Sequence, residues 1–327
     1  MKARRFLFVV ILPFIFSAGF PSFSLASGAF FYSVPRSRGE TDSRALTVVG
    51  SERNHTIQPN ETLLDIARKF GLGFWELKAL YRQLDPWIPP EGLKLTIPAM
   101  WVLPKTQQEG IVINVPEMRL YLFLKSIHLV KTYPVGIGVL DGRTPLGTFH
   151  IIGKVENPTW YIPPSLHKKY RRRSVPPGPE NPLGTRWIAL SHNRYGIHGT
   201  DFPWGVGRLV SHGCIRLYPE HITNLYPLVR VGMPVEIIYE PIKFGFRGTR
   251  IYIEAHEDIY RYIPNFLRYG FAKLKEEKLD KRVDLKKFTV ALVERTGIPI
   301  DITKQNGENE FADKPGLLSR RELIGKP

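Results

Sequence analysis

Two short runs hold the groups best suited to chemistry: Tyr195-Gly196-Ile197-His198-Gly199-Thr200 and Ser211-His212-Gly213-Cys214-Ile215-Arg216-Leu217. The second contains the sole cysteine of the chain. Acyl transfer by a thiol needs a group that takes the thiol proton, because the thiolate is the nucleophile. Histidine suits that task, since its pKa lies near neutrality. His198, between Ile197 and Gly199, is the candidate base, delivered by a strand beside Cys214. Donors must also meet the oxyanion that forms as the carbonyl becomes tetrahedral. Gly213 permits a tight turn, so the amides of Gly213 and Cys214 are candidate donors. A strand running on from Cys214 places Cys214 and Arg216 on one face and turns Ile215 and Leu217 to the core. Arg216 then sets a fixed positive charge beside the thiolate or a substrate carboxylate.

The same residues have other readings. A lone cysteine is often buried and inert. His198 and His212 taken singly fit structural roles, and Arg216 fits a surface charge or an ion pair. His198, His212 and Cys214 also make a three-ligand set for an open zinc site, although no acidic residue stands in the motif to serve a zinc-bound water. His55, His128, His150, His167, His192, His221 and His256 have no comparable context and read as surface or structural. The sequence carries no cofactor signal.

These residues must be positioned by the elements around them. From Gly110 to about Tyr239 the chain alternates in the manner of strands, with Ile111, Ile113 and Val115 on one side of Val112 and Asn114. Further strands are expected at 120–124, 129–135, 188–190, 195–198 and 235–239, with turns at Pro116-Glu117-Met118 and Asp141-Gly142 and a helix over 219–229. This is a mainly β domain over 110–240. Ahead of it, residues 53–99 read as strand, helix, helix, strand. Leu63, Ile66, Ala67 and Phe70 share one helical face, and so do Leu77, Leu80, Tyr81 and Leu84, while Leu93 to Ile97 alternates. Residues 241–302 read as a helical extension: a helical pattern over 255–275 broken near Pro264, then a helix capped by Asp284 with Gly297 past its end. Residues 27–52 read as a linker and 303–327 as a disordered polar tail.

Lys2, Arg4 and Arg5 precede an apolar run from Phe6 to Phe20, and Ser24-Leu25-Ala26 offers small residues for cleavage, so residues 1–26 are expected to be a signal peptide. Their removal takes away three basic residues and no acidic one, which lowers the net charge from +16 to +13. Export excludes nucleic acid as the partner of this basic surface and leaves anionic membrane or wall polymer. No transmembrane anchor is expected after cleavage.

The pair His198-Gly199-Thr200 and Ser211-His212-Gly213-Cys214-Ile215-Arg216-Leu217 resembles the signature of the L,D-transpeptidase (YkuD-type) catalytic domain. Supporting stretches are Thr144-Pro145-Leu146-Gly147-Thr148-Phe149, Asn157-Pro158-Thr159-Trp160 and Pro177-Gly178-Pro179-Glu180-Asn181-Pro182-Leu183-Gly184. Many members carry Asn where Arg216 stands. The resemblance implies a β-sandwich-like fold and a Cys–His mechanism. Cys214 would attack the amide between the third stem residue, usually diaminopimelate, and the terminal D-Ala. His198 would take the thiol proton, and the Gly199 carbonyl would orient its ring. D-Ala would leave a thioester, which an amine of a second stem or of an anchored protein resolves. His212 would shape the site.

Residues 53–99 resemble the LysM module, a βααβ unit that binds N-acetylglucosamine-containing glycan, on the stretch His55-Thr56-Ile57-Gln58-Pro59-Asn60-Glu61-Thr62-Leu63-Leu64-Asp65-Ile66-Ala67. Asn60-Glu61 replaces the usual Gly-Asp turn. The resemblances together imply a periplasmic enzyme with peptidoglycan stem peptides and glycan strands as partners, and an outer-membrane lipoprotein as a further acceptor. A hydrolase using the same Cys–His pair and a non-catalytic wall-binding protein are the alternatives.

Overall fold

The computed structural model describes residues 31–34, 46–164, 167–192 and 195–305. The expected signal peptide at 1–26 lies outside them, as does the tail from 306 onward.

The central strands are apolar on both faces, and two cores explain why. Gly110–Asn114 pairs antiparallel with Arg119–Leu124, setting Ile111 opposite Leu122 and Ile113 opposite Leu120. These four join Ile188, Leu190, Ile197, Ile215 and Leu217 in one core. The alternate residues Val112, Tyr121 and Phe123 face the other way and pack with Ile57, Leu63, Ile66 and Leu77 of the small N-terminal unit. Each strand therefore buries both sides, which is why it alternates between apolar types rather than between apolar and polar.

Nine strands form one curled sheet, in the order Phe31–Ser33, Leu129–Pro134, Arg119–Leu124, Gly110–Asn114, Pro234–Ile238, Gly147–Glu156, Arg186–Leu190, Gly196–His198 and Ile215–Arg216. The long strand Gly147–Glu156 joins the two halves. Its first part pairs with Pro234–Ile238 and its second with Arg186–Leu190, with the register shifting between Ile151 and Gly153. A bulge of this kind bends a strand and lets one sheet turn over the core. The two halves close on the shared core, giving the mainly β, sandwich-like architecture. The helix expected over 219–229 is α-helical at Pro219–Leu225 and continues as a 3-10 turn at Tyr226–Leu228, where Pro227 cannot extend the α-helical pattern.

The small unit has the expected order: Arg53–Thr56, helices Leu63–Lys69 and Phe74–Leu80, and Lys94–Ile97, the two strands pairing antiparallel. Thr62 caps the first helix in a capping box with Asp65. Arg119, fully buried in the sheet, donates to Glu76 of the second helix at 2.5 Å and lies over the Trp101 ring at 4.3 Å. Arg68 holds Glu220 of the catalytic domain through two hydrogen bonds, 2.7 and 2.6 Å.

Three expectations are corrected. Within 27–52, Phe31–Ser33 is a strand on the edge of the main sheet and Val48–Gly50 pairs with Met100–Val102, so these parts are not linker. Runs of three residues are too short to show a period, and their partners lie far along the chain. The extension at 241–302 is not simply helical. The hairpin Ile242–Arg247 with Arg250–Ala255 and the short strand Ile300–Asp301 form a sheet against helices Phe266–Glu276 and Leu285–Glu294. The helical pattern expected from 255 begins only at Phe266, after the cap Asn265, because Asp258 instead holds the amides of Tyr262 and Ile263 in a turn. Residues 303–305 are ordered too: Thr303 bridges Val283, and the Lys304 amide donates to the Arg282 carbonyl. Asp284 caps its helix as expected.

His221 is more than a surface residue. It is fully buried between Tyr133 and Tyr218, and neither ring nitrogen has a hydrogen-bond partner. Burial depresses its pKa from the ordinary 6.5 to about 4, against the pull of Glu220. The unfolded chain thus takes this proton between pH 6.5 and 4 while the native protein does not. Stability falls with pH across that window, by about 3 kcal/mol in all from this group. Replacing His221 by Phe is expected to remove that slope, read as the change in urea-unfolding free energy between pH 7 and pH 4.5. An unaltered slope would contradict the assignment.

No helix among the described residues is long and apolar enough to cross a membrane.

Candidate active site

Cys214 sits in the turn between strands Leu209–Ser211 and Ile215–Arg216. The buried Ser211 hydroxyl closes that turn. It donates to the Cys214 carbonyl at 2.5 Å and accepts from the Gly213 amide at 3.1 Å. Gly213 has φ +108°, and a Cβ there would stand 2.3 Å from Cε1 of Tyr195, so the position admits only glycine.

Strand Ile215–Arg216 lies parallel to Gly196–His198, with Ile197 opposite Ile215 and His198 opposite Arg216. The alternation of side chains turns Ile197, Ile215 and Leu217 into the core, all fully buried. His198 and Arg216 are left together on the other face, and the Arg216 charge reaches Cys214 in the turn just before it. The Leu217 amide donates to the His198 carbonyl at 2.8 Å and locks that register.

The His198 ring is fixed on two sides. Its Nδ1 lies 2.7 Å from the Gly199 carbonyl oxygen. A carbonyl only accepts, so Nδ1 carries the proton of the neutral ring and Nε2 keeps its lone pair. Trp187, the cross-strand partner of His198, stacks on the ring at 5.5 Å and 26°.

Comparison with known proteins identifies the family. The family model of the YkuD L,D-transpeptidase catalytic domain matches residues 108–237. The chain is 33% identical over 298 residues to "Probable L,D-transpeptidase ErfK/SrfK" of Escherichia coli (strain K12), covering 86% of this chain and 93% of that protein. It is 36% identical over 258 residues to "Probable L,D-transpeptidase YbiS" of the same organism, covering 75% and 81%. The chain belongs to the L,D-transpeptidase family. Among solved structures it is similar to the catalytic domain of the Enterococcus faecium L,D-transpeptidase, 20% identical, covering 41% of this chain and 100% of that one, with a TM-score of 0.32.

The electrostatics of this L,D-transpeptidase set the resting state of the pair. Burial pushes the Cys214 thiol up, against a backbone hydrogen bond from Gly196 and the charge of Arg216. Burial and then Arg216 push His198 down to about 3, and the Gly199 and Leu183 carbonyls recover only part of that. The two shifts move apart in the direction that keeps both groups neutral. Arg216 acts on both groups, favouring the thiolate of Cys214 and disfavouring protonation of His198.

The other sequence-derived residues divide. Arg216 is half-buried and anchored by its backbone, which exchanges two hydrogen bonds with Gly136 at 2.8 and 2.9 Å. Its charge works against the rise that burial gives the Cys214 thiol. His212 is exposed and packs against Gly142. The Gly213 amide donates to Ser211 Oγ within the turn at 3.1 Å. Among the described residues, His198, His212 and Cys214 do not bring their ligand atoms together. Among the described residues, the trio whose ligand atoms converge within 4.8 Å is Glu117, Glu254 and His256, on other elements. Lys243 already bridges that trio's two carboxylates, with Nζ 2.8 Å from each.

The sequence reading gave no role to Trp187, Tyr195, Ser211 or Asn181. Asn181 is fully buried; its amide nitrogen donates to the Pro158 carbonyl at 2.8 Å and its oxygen accepts from the Leu183 amide at 2.9 Å. It holds the Pro-rich loop whose Gly184 abuts the Gly199 backbone. Only its place in the Pro-Gly-Pro-Glu-Asn-Pro stretch could have marked it.

Proposed function

We propose that this L,D-transpeptidase uses Cys214 as nucleophile and His198 as base on the stem peptides of peptidoglycan, after export to the periplasm. The observation that supports the reading is the parallel register of Gly196–His198 with Ile215–Arg216, which pairs His198 with Arg216 two residues beyond Cys214, with Nδ1 held by Gly199.

In the first step the Cys214 proton passes to His198 Nε2 as sulfur bonds to the carbonyl carbon of the third stem residue. The bond from that carbon to the nitrogen of the terminal D-Ala then breaks, and His198 returns the proton to the departing amine. A thioester remains. In the second step His198 takes a proton from an acceptor amine, which attacks the thioester, and the thiol is restored. Arg216 supplies positive charge where negative charge develops on sulfur. A neutral resting pair suits a site that must wait for a peptide substrate, since an exposed thiolate would be oxidised readily.

The acceptor is an amine of a second stem or of a lipoprotein, and the competing reading is hydrolysis by water. Purified protein incubated with tetrapeptide muropeptides, with and without an acceptor amine, distinguishes them. Cross-linked products support transfer, and tripeptide alone supports hydrolysis.

The small βααβ unit is assigned to the glycan strand. Trp87 and Ile88 are held out from it by Asp85, whose carboxylate accepts from both their amides, and are 53% and 81% exposed. Trp87 meets the exposed Trp204, which belongs to the loop between His198 and Ser211, edge to face at 6.4 Å. Apolar ring faces of this kind suit stacking on sugars. Trp87→Ala is expected to weaken retention on sacculi about fivefold, from a loss of about 1 kcal/mol, while turnover of soluble muropeptides is unchanged. Unaltered retention would refute the assignment.

A further inference from the structure

The unit formed by residues 241–305 reaches the catalytic domain beside the nucleophile. There it places Tyr260, which is 1% exposed. The Tyr260 hydroxyl donates to the Gly138 carbonyl at 2.8 Å and accepts from the Thr144 amide at 3.0 Å. It thereby joins the two ends of the loop 138–144 and uses both its donor and its acceptor capacity.

That loop lies against the Ser211–Cys214 turn. The Val139 amide donates to the Ser211 carbonyl at 2.9 Å. A Cβ on Gly142 would stand 3.0 Å from the Cα of His212, and one on Gly213 would stand 3.1 Å from the Arg143 carbonyl oxygen. The loop therefore touches both residues that precede Cys214. On its other side the Arg143 guanidinium lies over the rings of Tyr260 and Tyr262, at 5.4 and 5.0 Å.

Tyr260 itself is held from its own side. Its ring stacks on Tyr239 at 5.9 Å and meets Tyr262 edge-on at 5.8 Å. Its amide donates to the Tyr239 hydroxyl at 2.9 Å, and that hydroxyl donates to Asp258 at 2.5 Å. The hydroxyl is thus a fixed point, and the loop is placed by it.

We propose that Tyr260 is a positioning residue for the transfer reaction: it carries the C-terminal unit's hold on the 138–144 loop, and through that loop it sets the turn that presents Cys214. This rests on the reading of Cys214 as the nucleophile. Removing the hydroxyl leaves a buried carbonyl and a buried amide unpaired, which the loop relieves by moving towards water. A small displacement of reacting groups is enough to slow turnover without changing substrate affinity.

The test is Tyr260→Phe in the full chain, with Tyr269→Phe of the same unit as the control. Two quantities are read: kcat and KM on tetrapeptide muropeptides, and the pH profile of iodoacetamide alkylation, which reports Cys214 alone because the chain has Cys 1. Tyr260→Phe is expected to lower kcat about tenfold with KM within about twofold. Its alkylation midpoint should move to lower pH, because burial is what raises the thiol. Tyr269→Phe should match wild type in both. Wild-type kcat and an unmoved alkylation profile in Tyr260→Phe would overturn the proposal. So would a loss of activity that tracks loss of folded protein with an unmoved profile. If wild type turns over no muropeptide, the functional reading is what fails, and the alkylation profile still decides whether Tyr260 places the turn.

Discussion

Cys214→Ala is expected to abolish acyl transfer, lowering kcat by at least about 10³-fold, and to leave the fold intact. The fold survives because the packing around this position comes from Ile215 and Leu217, both fully buried, and because the Ser211 bonds that close the turn go to backbone atoms. The activity does not survive because no other cysteine exists in the chain to take the acyl group. His198→Gln should follow it. Glutamine can still meet the Gly199 carbonyl but offers no basic nitrogen to the thiol. Its loss is expected to be smaller than that of Cys214→Ala, about 10²- to 10⁴-fold, with partial recovery at alkaline pH as the thiol ionises unaided. Recovery in that direction follows from a thiol that burial holds up. Full activity in Cys214→Ala, measured as cross-linked product by chromatography, would contradict the assignment.

The largest expected effect on stability lies away from the site, at Lys243. Its ammonium is fully buried between the carboxylates of Glu117 and Glu254, 2.8 Å from each, and donates to the Val102 carbonyl at 2.6 Å. These partners come from the catalytic domain, the C-terminal hairpin and the strand that follows the small unit. Attraction by the two carboxylates outweighs burial and holds the lysine charged. His256 reaches Glu254 at 2.7 Å, and Tyr121 donates to Glu117. Lys243→Met keeps the stem and deletes the charge between the two buried carboxylates, leaving Glu117 to the more distant Arg119 at 3.9 Å and Glu254 to His256. Such a deletion costs about 3–5 kcal/mol. Urea unfolding should show that loss, and adding Glu117→Gln should restore part of it by removing one of the stranded charges. A change below about 1 kcal/mol would show that the cluster does not join the three units.

The pair proposed as reactive was legible because both halves lie in contiguous runs whose alternation could be carried onto a strand. The prediction that Cys214 and Arg216 share a face, with Ile215 and Leu217 inward, needed only period two. The hydrogen bond from the Gly213 amide to Ser211 was not legible, because it depends on where the Ser211 hydroxyl points once the turn closes, and no spacing rule encodes that. Trp187 stacks on His198 and Tyr260 pins the loop beside Cys214, yet neither stands near the motif in sequence. Their contributions come from strand register and from the docking of a distant unit. The hairpin over 242–255 went unread for a related reason. Ile242, Phe244 and Phe246 alternate, but Lys243 and Glu254 occupy positions that solvent usually claims, and they are cross-strand partners buried against the catalytic domain. Short strands such as Phe31–Ser33 exist only through their partners, so a reading along the chain takes them for linker.

The most direct test of the central claim is intact-protein mass spectrometry after brief incubation with a tetrapeptide stem or a carbapenem. The account predicts a single covalent adduct, of the mass of the stem lacking D-Ala or of the intact carbapenem, mapped by peptide digestion to Cys214 and absent from Cys214→Ala. Folded wild-type protein that turns over substrate with no adduct on Cys214, or with an adduct on another residue, would contradict it.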